Sequence, residues 1–119
     1  MRYAFLIYAD QSDWARLSEQ EAAEARAREM PKWEALFGEL AQVDPKVDGT
    51  ELDETTTAKT LSVRNGRTLV TDGPFAETKE QIGGIFVIDC PNLDVAIEPA
   101  AKIPTAEHGS IEVRPLVER

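Results

Sequence analysis

The chain predicts an α+β fold of the ferredoxin-like kind, β-α-β-β-α-β with an extra hairpin. Three observations lead there. Two short runs, Tyr3 to Ala9 and Ile85 to Ile88, are apolar on both alternating sets, the pattern of strands shielded on two sides. Two helical stretches, opening at Ser18 and at Asn92, alternate with the strand-like segments. Between them Asn65-Gly66 joins two extended runs, the strongest short hairpin signal in the chain.

Each element has its own reason. Tyr3, Phe5 and Ile7 occupy one side of the first strand and Ala4, Leu6 and Tyr8 the other, so the strand belongs at the centre of a sheet; Asp10 to Asp13 ends it. Ser18-Glu19-Gln20-Glu21 is a capping box, and the helix it opens is expected to reach about Ala41. Met30, Trp33, Phe37 and Leu40 mark its apolar stripe, and Pro31, which lacks an N–H, is expected to kink or split it. Asp44-Pro45 is a turn, and Val47 to Leu52 a short strand. Thr55 to Val63 is β-branched, and Asn65-Gly66 pairs Lys59 to Arg64 with Arg67 to Thr71. Gly84 to Cys90 is the next strand. Asn92 caps a second helix with Leu93, Ala96, Ile97, Ala100, Ala101 and Ile103 on one face; Pro99 interrupts it and Pro104 stops it. Ile111 to Val117 is the last strand, with Pro115 limiting its pairing on one side.

Helices gathered on one face of such a sheet leave the other bare, whereas strands apolar on both sides need cover on both. The expected solution is a homodimer with two sheets face to face.

Size and charge narrow the function. The 119 residues make one domain, residues 1–119. A net charge of −9 repels phosphate backbones, which argues against nucleic-acid binding. No apolar run reaches the ~18 residues of a membrane span, and the N-terminus lacks a signal-peptide pattern, so a cytoplasmic location is expected. A lone cysteine, Cys90, cannot form an internal disulfide. One histidine, one cysteine and scattered carboxylates give no metal-ligand set. The glycines follow neither phosphate-binding pattern, and no nucleophile elbow is present. No cofactor is expected.

The stretch Thr71 to Gly84 is polar, charged and glycine-bearing between two apolar runs, longer than a strand connection needs. Asp72-Gly73-Pro74-Phe75, followed by Ala76-Glu77-Thr78-Lys79-Glu80-Gln81-Ile82-Gly83-Gly84, resembles the signature of the DGPF-domain proteins of the YCII-related superfamily. Arg2 to Tyr8 and His108 to Pro115 resemble the same family, so the likeness spans nearly the whole chain. It implies a dimeric α+β barrel, in agreement with the burial argument. The superfamily is similar to enzymes that use a histidine–aspartate pair, and DGPF proteins resemble products encoded beside extracytoplasmic-function sigma factors.

Candidate site residues follow. His108, the only histidine, is the natural proton carrier near neutral pH, with Asp72 first and Asp10 second as its carboxylate partner. Asp72, Glu77, Lys79 and Glu80 are placed to line a mouth for a small polar substrate; equally, Glu77 and Lys79 pair with each other or with Arg114, and Asp72 caps its turn. Arg114, a strand arginine in apolar company, is expected to pair with Glu77 or Glu80 or to bind a substrate carboxylate. The leading reading is a cofactor-free acid–base enzyme of isomerase or lyase type, acting on a small polar molecule in a pocket between sheet and helices or near the dimer interface. The alternatives are a regulatory module with a sigma-factor partner and a purely structural dimer.

Overall fold

The computed structural model describes residues 1–119. The chain runs β1 (Arg2–Ala9), α1 (Ser12–Ala15), α2 (Glu19–Val43), β2 (Asp48–Glu51), β3 (Lys59–Arg64), β4 (Arg67–Asp72), β5 (Gln81–Asp89), α3 (Leu93–Ala100) and β6 (Ser110–Pro115), with single 3-10 turns at Thr55–Thr57 and Pro104–Glu107. The main sheet has the order β2-β5-β1-β6, with every pair antiparallel. With the separate β3–β4 sheet set aside, element order and strand order are compatible with a ferredoxin-like fold.

Alternation decides what β1 buries. Tyr3, Phe5 and Ile7 face the helices and form the core with Ile88, Leu36, Leu40, Ala96, Ala100 and Ile103. On the other face Ala4, Leu6 and Tyr8 stand opposite Val87, Ile85 and Ile82. No helix covers that face, and the molecule is a slab of 47 × 47 × 20 Å. The strand expected to be central is central, but one chain shields only one side of it.

Several elements differ from expectation for identifiable reasons. Asp10 accepts hydrogen bonds from the Ser12 amide (2.9 Å) and hydroxyl (2.6 Å), which starts the short helix α1 where only a polar break was expected. The capping box at Ser18 forms as expected, but α2 runs unbroken through Pro31 to Val43. The stripe it buries is centred on Leu36 and Leu40 with Trp33 at its edge; Met30 and Phe37 are 49% and 48% exposed. Thr55–Thr57 is a 3-10 turn, so β3 begins only at Lys59. Asn65 (φ 51°) and Gly66 (φ 74°) both take the positive φ that a tight hairpin turn requires. Asn92 caps α3 by accepting from the Val95 amide at 3.0 Å, and Pro99 fits in the last turn, buried, while Leu93 and Ile97 face solvent. Pro115 lies on β6, an edge strand, where its missing N–H leaves no gap inside the sheet.

The long connection from β4 to β5 also has a structural reason. The two strands lie in different sheets, so the segment 73–80 crosses between sheets instead of turning within one.

Candidate functional site

Three connections converge near the end of β1: Asp10 to Ser12, the Thr55–Thr57 turn, and the loop after Asp72. They enclose a cleft of about 420 Å³ lined by twelve residues, none with a large apolar side chain. Asp10, Asp72 and Glu77 bring carboxylates to it and Lys79 an ammonium. Gln11, Ser12, Thr55, Thr56, Thr78 and Gln81 supply neutral donors and acceptors.

Local hydrogen bonds build the walls. Gln81 donates from Nε2 to the carbonyls of Ala76 (2.9 Å) and Thr78 (3.2 Å), and the Thr78 hydroxyl donates to the Glu80 carbonyl at 2.7 Å. Gly73, at φ 92°, donates its amide to the Ala58 carbonyl, and the Thr60 hydroxyl donates to the Gly73 carbonyl at 2.8 Å. The Thr55 amide donates to Gln11 Oε1 at 3.2 Å and so ties the turn before β3 to the end of β1.

Charge in the cleft is unevenly held. The Ser12 hydroxyl, then the Ser12 amide, hold the Asp10 carboxyl below its ordinary value, with smaller help from Lys79 and Arg16. Asp10 is therefore an ionised acceptor at neutral pH. Asp72 is engaged by Lys59 across the β3–β4 ladder. Lys79 and Glu77 have no ion-pair partner within the chain and are available to a ligand.

The predicted site residues divide. Asp72, Glu77 and Lys79 come together in the cleft, with Asp10 across from them; Glu80 does not line it. His108 follows the Pro104–Glu107 turn on the helix side, and its nearest ion-pair partner is Glu29, with Nε2 3.7 Å from Oε1, beyond direct hydrogen-bond reach. It does not line this cleft and has no ion pair with Asp72 or Asp10. Arg114 pairs with Glu112, not with Glu77 or Glu80, because the two residues stand two apart on β6 and share the open sheet face opposite Ala4 and Leu6. Gln11, Ser12, Thr55 and Thr56 were not legible as site residues. They carry no motif, and only the fold brings residues 11 and 55 into contact.

A second groove of about 390 Å³ runs between α2 and the segment Ala101–Glu107, but its charges are already joined as Lys32–Glu107 and Lys102–Glu39 pairs. No helix of the chain is long and apolar enough to cross a membrane.

Comparison with known sequences agrees with the fold and covers the cleft-forming loop. The sequence model of the YCII-related domain matches residues 1–119, without singling out the DGPF branch. An uncharacterized protein of Rhizobium meliloti (strain 1021) is 41% identical over 118 residues, which span 98% of this chain and 92% of that protein. With a match of that extent, the antiparallel α+β architecture and the loop Asp72–Gln81 in its place, this chain belongs to the YCII-related family.

Proposed function

We propose that the cleft between Asp10 and Lys79 receives a small polar molecule, and that the reaction it suits is cofactor-free proton transfer of isomerase or lyase type. One observation carries this reading: the ionised Asp10 carboxylate, the Glu77 carboxylate and the Lys79 ammonium line one volume to which no large apolar side chain contributes. With Asp72 paired to Lys59, the Asp10 and Glu77 carboxylates against the one ammonium of Lys79 leave a slight negative excess, which favours a ligand with a cationic or hydroxyl-rich group over an anion. Proton transfer needs only groups that the chain supplies: Glu77 as acceptor and Lys79 as donor, with Asp10, which Ser12 holds ionised, as the fixed anion that orients the ligand. His108 lies outside this cleft, so the proposal places the chemistry on Glu77 and Lys79 and the orienting charge on Asp10.

The working unit in this proposal is a homodimer whose open sheet faces pack together as an α+β barrel. Leu6, Tyr8, Ile82, Ile85 and Val87 support it, since they lie on a face that no helix covers. A regulatory role with a sigma-factor partner rests on the resemblance alone and is the runner-up.

The test is a thermal-shift screen of small amines, polyols and hydroxy acids against the wild type and the Asp10→Asn and Glu77→Gln variants. A true ligand at about 100 times its Kd stabilises the fold by about 2.7 kcal/mol. A ligand that raises Tm in the wild type and not in the two variants supports the cleft. Equal shifts in all three proteins would place binding elsewhere.

A further inference from the structure

We propose that the β3–β4 hairpin is a clasp for a second copy of this chain, and that engaging it fixes one wall of the cleft. This rests on the dimer reading above and adds what the hairpin does in it.

The hairpin is built to be covered. In its register Leu61 stands opposite Val70 and Val63 opposite Thr68, so Leu61, Val63 and Val70 share one face. They are 63%, 62% and 58% exposed. Phe75, three residues beyond β4, is 90% exposed. The two strands pack against each other and make no more than marginal contact with the rest of the chain. A lone two-stranded ribbon is marginal in water, so its order calls for a surface to lie on.

The surface this chain exposes is large enough to supply the interface of a permanent dimer. A folded monomer of 13.2 kDa is expected to expose about 6,400 Å². This chain exposes 8555 Å², an excess of about 2,100 Å² over that scaling. A standard interface covers only about 800 Å² per partner, and obligate homodimers cover more. The radius of gyration, 16.5 Å, likewise exceeds the roughly 13.5 Å expected of a compact chain of this length.

Two features make a second copy the occupant. In an isologous pair each copy offers the other both of its uncovered apolar surfaces, the open sheet face and the hairpin face. The charges also match: the hairpin tip carries Arg64 and Arg67 directly opposite each other, while the chain as a whole has a net charge of −9. Each copy thus offers a cationic tip to an acidic body.

The clasp reaches the cleft through the chain itself. Thr55 and Thr56 lead into β3, and Asp72, Gly73 and Pro74 lead out of β4, so part of the cleft wall moves with the hairpin. The Gln11–Thr55 hydrogen bond ties that wall to the body. A hairpin held by a second copy stops the wall from swinging away.

Sedimentation equilibrium and amide hydrogen exchange test this on wild type, Val70→Asp, Phe75→Ala and, on the open sheet face, Ile85→Asp. The expected result is a wild-type dimer that Val70→Asp and Phe75→Ala each weaken about tenfold or more. Phe75 is so exposed that Phe75→Ala leaves the protomer folded. Amides of β3, β4 and residues 73–80 are expected to be protected in the wild-type dimer and to exchange faster in the Ile85→Asp monomer. A wild type that stays monomeric at micromolar concentration overturns the dimer reading and the clasp together. A dimer that Ile85→Asp dissociates, while Val70→Asp and Phe75→Ala leave it unchanged, keeps the dimer and overturns the clasp. Equal exchange of residues 73–80 in monomer and dimer overturns the link to the cleft.

Discussion

At Gly109 the chain passes so close to β1 that a Cβ would overlap the Tyr8 carbonyl oxygen and crowd Thr105 at 3.2 Å. Backbone cannot step aside as a side chain can, so Gly109→Ala is expected to cost about 1–3 kcal/mol, read from urea denaturation. At Gly49 the atom in the way is the Phe86 ring, which can rotate, and the same change should cost less. Ionisable residues add an acid limit. Asp44 is held below its ordinary value of 3.8 by the Asp89 amide first and the Lys46 amide second, Asp10 below 3.8 by Ser12, and Glu21 below 4.5 by the Ser18 amide and hydroxyl. A folded-state value below the unfolded one gives stability that is present above 3.8 for the aspartates and 4.5 for Glu21, and that fades as pH falls through the depressed folded values. Urea midpoints should therefore drop on acidification below about pH 4.5, and Asp44→Asn should flatten that drop. At this scale the sequence showed Asp72, Glu77 and Lys79 as a charged loop. It could not show that Gln11 receives the Thr55 amide, since a contact spanning 44 residues leaves no local pattern.

Among the elements, α2 separates local from tertiary information. Its start was legible because the capping box is a four-residue chemical pattern; Ser18→Ala should cost about 1 kcal/mol. Its buried face was misread because Met30, Trp33, Phe37 and Leu40 and the alternative Trp33, Leu36, Leu40 both recur at helical spacing. Packing against Phe5 and Ile88 decided for Leu36 and Leu40. Leu40→Ala is accordingly expected to cost about 2–5 kcal/mol and Met30→Ala far less, as urea denaturation of the two variants side by side will show. The helix passes Pro31 without a break because tertiary packing of its second half outweighs one lost hydrogen bond.

For the whole molecule, the order of elements was legible and the partition into two sheets was not. The Asn65-Gly66 turn announced a hairpin, but nothing in β3 and β4 says that they leave the main sheet. Their alternation, with Leu61, Val63 and Val70 on one side, fits an added edge of that sheet equally well. Two copies at −9 each repel at long range. If apolar faces hold them together, added salt should tighten the dimer, whereas an assembly held mainly by the Arg64 and Arg67 tips should loosen. Sedimentation at low and moderate ionic strength reads the sign directly.

The register of β5 against β1 slips by one between Ile7 and Tyr8, with Gly83 as the unpaired residue. Strand parity therefore changes there, and Gln81 emerges where it can support the loop over the cleft. Substituting Gly83 keeps that parity; deleting it reverses the parity for everything upstream until the loop absorbs the shift. Chain length at this one spot, more than residue identity, is then what evolution or an engineer must leave alone.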